Sequence, residues 1–498
     1  MRVLLFVLLL FLPFNNLYQQ NLDSLITKGL KESYNFNFES AEKIFDEIIE
    51  DNLDLPHGYF YLSQLNLWFY IGSNDSLYLK TFDDYFQKTQ ELCERQIEID
   101  GNEQEAEYYL GSANVLKSLS LIYTGEYWQA FRAADKGVSF LKDCIINEDP
   151  EFTDAYFGIG ITGYTFSFVP SFYRYLIGLF GVPSDKEEAI GFLQRTAEKG
   201  KFTKLESRFY LSKMLNDYSA DYEESLKILK KLSGEFGGNL LIKYQLAVTN
   251  IHLNNYNDAE VNLSEIIKID NKRFTQTKAL SYMLMGDILF GRNDFKNSID
   301  YYKSFIENTK SLEYSGYVNF QMALCYAMLQ NEIEAKKHLL LGRIGNHDID
   351  EDVYAKAKCE YFFQNGFNKN ILLLTQAENY LKVGEIEEAK KLLGNVKKSL
   401  TSSIEKNYSN YLFAELNFRE KNYGRALDYL QKIIETDLKI FNWIIPKSFL
   451  LRSKCYLKLK QYNRAKEILD ETESRNEFEY ERVIQSRIVK LRETLQKK

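Results

Sequence analysis

Proline is scarce in this chain, with 6 residues in 498. A prolyl ring removes a backbone donor and clashes inside a helix, so that scarcity suits long, uninterrupted helices. Cysteine is as thinly spread. Cys93, Cys144, Cys325, Cys359 and Cys455 are odd in number and form no CxxC pair, which excludes a zinc pattern and a disulfide framework. Each lies among apolar or helix-forming neighbours and is expected to be a small buried hydrophobe. His57, His252, His338 and His347 lack metal-ligand spacing; HExxH, GxSxG and GxxxxGKS or GxxxxGKT are all absent. No catalytic residue, metal site or cofactor is therefore assigned, and the expected function is non-catalytic. Net charge is only −8, with both signs mixed along the chain. Neither a basic nucleic-acid footprint nor an acidic tail is present, so no nucleic acid is expected as a partner.

Long apolar runs are few. Val3 to Leu12 follows Met1-Arg2 and leads into Pro13 and a polar stretch from Asn15 to Asn21. One positive charge, a short apolar core and a polar exit fit a secretory signal over residues 1–20, and the run is shorter than the roughly 20 residues of a spanning helix. Phe14 to Tyr18 offers no small-x-small cleavage pair, which leaves a retained anchor or a buried first helix as alternatives. The second run is Tyr156 to Pro183, uncharged apart from Arg174 and rich in glycine and aromatics around Pro170. Three readings compete for it: a hairpin buried in the core, a poor membrane helix over Ala155 to Tyr173, and an exposed apolar site.

Aromatic residues are plentiful by contrast, with 36 Tyr and 35 Phe. From Asn239 to Phe305 a helical-hairpin pattern is written twice, first with Leu246, Ala247, Tyr256, Ala259, Leu263 and Ile266, then with Met285, Gly286, Phe295, Ser298, Tyr302 and Phe305. Small residues at matching places let two helices approach closely. Ala189, Ser225, Ala259, Ser298, Ala335, Ala389, Ala426 and Ala465 mark successive second helices at intervals of 34 to 39 residues, except for one of 54. Such a period signals a solenoid. The long interval leaves room for an extra helix, Tyr354 to Gln364, before the next unit at Ile371 to Val383. Turn signals fall at Asn254-Asn255, Asn293-Asp294, Gly384-Glu385 and Lys421-Asn422. Asp348 to Asp352 reads as a solvated acidic helix start, and Gly234 to Gly238 as a helix end and turn. Phe478 to Gln496, with one apolar stripe and a charged back, reads as a capping helix.

Leu25, Gly29, Phe38, Ala41 and Phe45 repeat the same pattern near the start. It resembles the tetratricopeptide repeat, with a small residue in the first helix, an aromatic at the turn and Ala-x3-Phe on the second. A finer resemblance, over about residues 100–270, is to tetratricopeptide repeat protein 39 and its Iml-two relatives. Asp154-Ala155-Tyr156-Phe157-Gly158-Ile159-Gly160, the aromatic run to Pro170, Leu176 to Gly181 and Ala189 to Leu193 carry it. The resemblance implies an all-α, right-handed superhelix of helical hairpins, with no catalytic activity. The expected organisation is irregular helices over 22–150, the apolar insert and a helix over 151–200, a regular array over 201–345, further units with an extra helix over 346–473 and a cap over 474–498.

In such a solenoid the first helices line the concave surface. Expected partner-binding positions are Tyr244, Val248, His252, Met283, Asp287, Tyr317, Phe320, Tyr408 and Tyr411, with Phe172 and Tyr173 in the insert; Leu324, Leu374, Glu378, Glu415 and Lys454 fall on the same register. A register error would turn these aromatics into core. The groove reading points to a protein or peptide partner with an apolar segment, held by a scaffold. A membrane-associated or apolar-ligand-binding component using residues 156–183 is the second reading, and an enzyme with an unrecognised site the third. The leader and the Asn-, Lys- and Ile-rich composition lead to an expected exported protein of a bacterium, periplasmic, outer-membrane-associated or extracellular.

Overall fold

The computed structural model describes residues 20–99, 103–145, 152–166, 186–435, 438–475 and 478–498. Residues 1–19 of the expected signal segment, Phe172, Tyr173 and the remainder of the 167–185 stretch lie outside the described residues. Within them every regular element is a helix and no strand occurs. The chain divides into two compact units: residues up to Met214 with 227–243 and 272–274, and residues 215–226, 244–271 and 275–498.

Each unit is built from antiparallel helical hairpins whose two helices differ in kind. Outer helices carry one apolar stripe. Phe38–Asp51 buries Phe38, Ala41, Ile44, Phe45 and Ile48, the three- and four-residue spacing of a single face. Inner helices are covered on several sides, and His57–Ser73 buries residues all round its circumference. Between the two helices the same turn recurs. One residue takes the left-handed conformation, the next leads into the helix, and the outer helix follows: Asn293 (φ 60°), Asp294, then Phe295–Asn308. Asn254, Gln330, Lys421 and Lys460 occupy the same left-handed place. Gly384 does so at φ 86°, where glycine is free of the side-chain penalty. The positions expected to permit close helix approach are all buried: Ala189, Ser225, Ala259, Ser298, Ala335, Ala389, Ala426 and Ala465 are each at most 1% exposed. At Gly286 the inner helix Thr275–Gly291 lies so close to the outer helix Phe295–Asn308 that an added Cβ would sit 2.5 Å from the Tyr302 ring. Ser298 Oγ donates to the Gly286 carbonyl at 2.8 Å across the same contact.

In the first unit the described part of the apolar run is a helix, Ala155–Phe166, packed against Lys186–Lys199 as an inner–outer pair. Tyr156, Ile159, Ile161, Tyr164 and Phe166 are buried. This part is core, which corrects the exposed-site reading for it. Among the described residues no helix is long and apolar enough to cross a membrane. Residues 272–274 join this unit through Phe274, stacked on Phe38 at 5.5 Å, and Arg273, which pairs with Glu42 at 2.9 Å.

The extra helix of the second unit runs from Asp350 to Asn365 and packs on the inner helix Ser315–Met328. Its acidic start is not fully solvated as expected. Asp352 is 1% exposed and accepts the backbone N–H groups of Tyr317 and Asn346, both at 2.8 Å. The carboxylate ties the start of one helix to the loop before the next. The last helix, Glu481–Gln496, buries Ile484, Ile488 and Leu491 against Leu450, Leu469 and Phe478, as a cap should. It also reaches back along the unit, since Lys490 pairs with Asp221 at 2.5 Å. All five cysteines are free and buried.

Candidate functional site

The inner helices of the second unit carry a band of part-exposed polar and aromatic side chains. On Thr275–Gly291, Asp287 accepts the hydroxyls of Tyr302 at 2.6 Å and Tyr317 at 2.9 Å, and Gln321 donates to the Tyr317 oxygen at 3.1 Å. Burial pushes the Asp287 carboxyl up to about 6, with the two phenols pulling against it. Further along, Glu378 on Lys369–Val383 accepts the Tyr408 hydroxyl and pairs at 3.0 Å with Lys382, itself half-exposed. Burial would raise the Glu378 carboxyl, but Lys382, Lys447 and the Tyr408 hydroxyl hold it at about 2.

Cations dominate the end of this band. Lys447 and Lys454 lie seven residues apart on Ile444–Lys458, so they share one helix face. Lys447 stands 4.2 Å from the Trp443 ring centroid and 4.5 Å from that of Tyr480. Arg487 of the last helix acts electrostatically on Lys447, Lys454, Tyr411 and His252, so the cap contributes charge to the same surface. Burial lowers Lys447 to about 8 although Glu378 opposes it, and burial followed by Arg487 lowers Lys454 to about 8. Among the described residues no carboxylate lies within ion-pairing distance of Lys447, Lys454 or Arg487. Glu415 pairs instead with Arg419 at 3.1 Å, and Glu479 with Lys358. Partly desolvated cations that form no direct ion pair are suited to an incoming anionic group.

The charged Lys447 weakens the fold that carries it. Its folded-state value lies below the 10.5 of an ordinary lysine, so the protonated form is disfavoured in the native state. That penalty is complete below about pH 8 and fades as pH rises toward 10.5. Lys447→Met is therefore expected to raise stability at pH 7 by about 2 kcal/mol. Urea denaturation of both forms at pH 7 and pH 10 checks this, with the gap narrowing at the higher pH.

The expected partner-binding residues divide into two sets. Tyr244, Val248, His252, Asp287, Tyr317 and Tyr411 are part-exposed on inner helices. His252 stacks on Tyr222 at 4.7 Å, and burial, helped by Arg487, lowers it to about 4. Met283, Phe320 and Tyr408 are instead buried at 5%, 5% and 2% exposure, as are Leu324 and Leu374. An inner helix packs against neighbours on several sides, so only a narrow stripe of it stays open, and these residues fall beside that stripe. The sequence reading missed Lys382, Lys447 and Arg487. Two were signalled by helical spacing: Lys382 lies four residues after Glu378, and Lys447 seven before Lys454. Arg487 had no such signal, because its helix was read only as a cap.

The family model Iml2/Tetratricopeptide repeat protein 39 matches residues 152–364. No curated protein matches the sequence. Among solved structures, a tetratricopeptide repeat protein from Parabacteroides merdae is 15% identical, covering 58% of this chain and 98% of that one with a TM-score of 0.24. The human IFIT1 dimer with m7Gppp-AAAA is 14% identical, covering 82% and 89% with a TM-score of 0.31. Yeast Tom70 is 14% identical, covering 95% of each chain with a TM-score of 0.25. Repeated hairpins closed by small residues at each helix crossing make the described chain an array of tetratricopeptide-like helical hairpins, and over residues 152–364 it resembles the Iml2/tetratricopeptide repeat protein 39 family.

Proposed function

We propose that the protein is an interaction scaffold whose second unit receives, on its concave face, a partner segment bearing acidic groups beside apolar or aromatic ones. The observation that carries this reading is the set of Lys447, Lys454 and Arg487, three cations with no carboxylate of the described residues within ion-pairing distance, although Glu378 and Glu415 act on the two lysines from farther away. Tyr411 and Tyr480 stand among them and supply flat apolar surface, while Trp443 is buried beneath Lys447. The apolar partner expected from the inner-helix aromatics alone is thereby refined, since an uncharged segment would leave the cations desolvated and unpaired.

The test uses two fluorescein-labelled twelve-residue peptides, one of alternating Glu, Asp and Phe and the other its Lys and Arg counterpart, titrated with the full chain and followed by anisotropy. The acidic peptide is expected to bind at least about tenfold more tightly and to weaken as salt rises. Lys454→Glu combined with Arg487→Glu is expected to remove that preference. Equal binding of the two peptides would overturn the proposal.

A further inference from the structure

A recess in the first unit offers about 50 Å³ to water-sized molecules, more than the roughly 10–15 Å³ that one water requires. Its walls come from helices and from the loop residues Asp154, Phe202 and Thr203, and they include Tyr61, Trp68, Tyr108 and Tyr210. The polar complement is one-sided. Asp154 and Glu206 line the recess, and among the described residues no lysine, arginine or histidine does so. Asp154 is already engaged, accepting from the Phe202 and Thr203 N–H groups at 2.9 and 3.2 Å and from Thr203 Oγ1 at 2.7 Å. Glu206 is 5% exposed and is held differently. Both of its oxygens share one nitrogen, Gln64 Nε2, at 3.0 and 2.9 Å, so most of its acceptor capacity is unused. The Ser118 hydroxyl, on a residue 3% exposed, lines the same recess without a hydrogen-bond partner.

We infer that this recess is a binding site for a small organic cation of the alkylammonium class, with Glu206 as counter-ion and the surrounding rings as cation–π faces. Gln64 then acts as a positioning residue that holds the carboxylate toward the space. Burial pushes Glu206 up to about 8, Gln64 opposing and Asp154 adding to the shift. The other titratable groups acting on Glu206 are Tyr34, Tyr61, Tyr108 and Tyr210 from the surrounding elements. Burial raises all four phenols, so they are neutral throughout the physiological range. A bound ammonium stabilises the ionised carboxylate and expels its proton. Affinity for a cation of fixed charge is then expected to rise about tenfold per pH unit below about 8.

Isothermal titration of the full chain with choline and with 3,3-dimethylbutan-1-ol, its uncharged isostere, tests the inference. Choline is expected to bind about tenfold more tightly at pH 7 than at pH 6, and at least about tenfold more tightly than the isostere at pH 7. Glu206→Gln removes choline binding with the circular dichroism spectrum unchanged, while Lys336→Glu, at an exposed outer-helix position of the other unit, leaves it intact. Binding of the isostere as tight as that of choline, no choline binding at millimolar concentration, or full retention in Glu206→Gln would overturn it. The site is independent of the proposed groove, and either can fail alone.

Discussion

Tyr302→Ala is expected to destabilise the second unit by about 4 kcal/mol. The ring is fully buried, and it fills the space that Gly286 leaves between the inner helix Thr275–Gly291 and the outer helix Phe295–Asn308. Truncation opens a cavity between two helices whose crossing is held at short range by Ser298, so the walls cannot collapse freely. It also removes one of the two phenols that satisfy the Asp287 carboxyl. Tyr302→Phe separates these effects. It keeps the packing and loses only the hydroxyl donor, for about 1–2 kcal/mol. Urea denaturation followed by circular dichroism measures both variants. A loss below about 1 kcal/mol in the alanine variant would mean that this crossing does not hold the repeat together.

Glu206 sets the second large effect. Its folded-state value of about 8 lies above the 4.5 of an ordinary glutamate. Below pH 4.5 the group is protonated folded or unfolded and stability does not depend on it. Between the two values the unfolded chain ionises while the folded one keeps its proton. Stability therefore falls by about 1.4 kcal/mol per pH unit across that window and levels off above it. Glu206→Gln keeps a neutral side chain of similar shape and is expected to be more stable than the parent by about 4 kcal/mol at pH 8, with little difference near pH 4. Denaturation midpoints of both forms at pH 4, 6 and 8 check the sign and the window. A parent chain as stable at pH 8 as the variant would remove the case for a carboxyl confined without a cation. The parent's lower stability at neutral pH is what a residue kept for binding, not folding, would show.

The repeat was legible in the sequence because it answers a local steric demand. Wherever two helices cross closely, a small residue must stand, and Ala259, Ser298 and Ala426 announce their crossings without any knowledge of the rest of the fold. Turns were legible for a similar reason, although glycine was a poor guide to them. Asn293 takes the left-handed place while Gly291 ends the preceding helix. The extra helix was expected at Tyr354 to Gln364 and begins earlier, at Asp350, because its first acidic residues are drawn into backbone contacts that no periodicity reports.

The sites were less legible. Membership of the proposed groove depends on how each inner helix is rotated: part-exposed Tyr411 and buried Tyr408 stand three residues apart, only about 60° around the helix. The charge of the groove depends further on Arg487, whose helix is brought back to Asp221 by Lys490 across most of the unit. The recess in the first unit draws Gln64, Ser118, Asp154 and Glu206 from separate elements. Nothing in the spacing of those four residues marks them as neighbours.

Hydrogen–deuterium exchange of the full chain, with and without the acidic peptide, tests the groove most directly. Slowed exchange in the inner helices Lys369–Val383, Ser403–Arg419 and Ile444–Lys458 is the expected result, with the outer helices Ile386–Val396 and Tyr462–Glu473 unchanged. Protection confined to those outer helices, or to the first unit, would contradict a concave binding face.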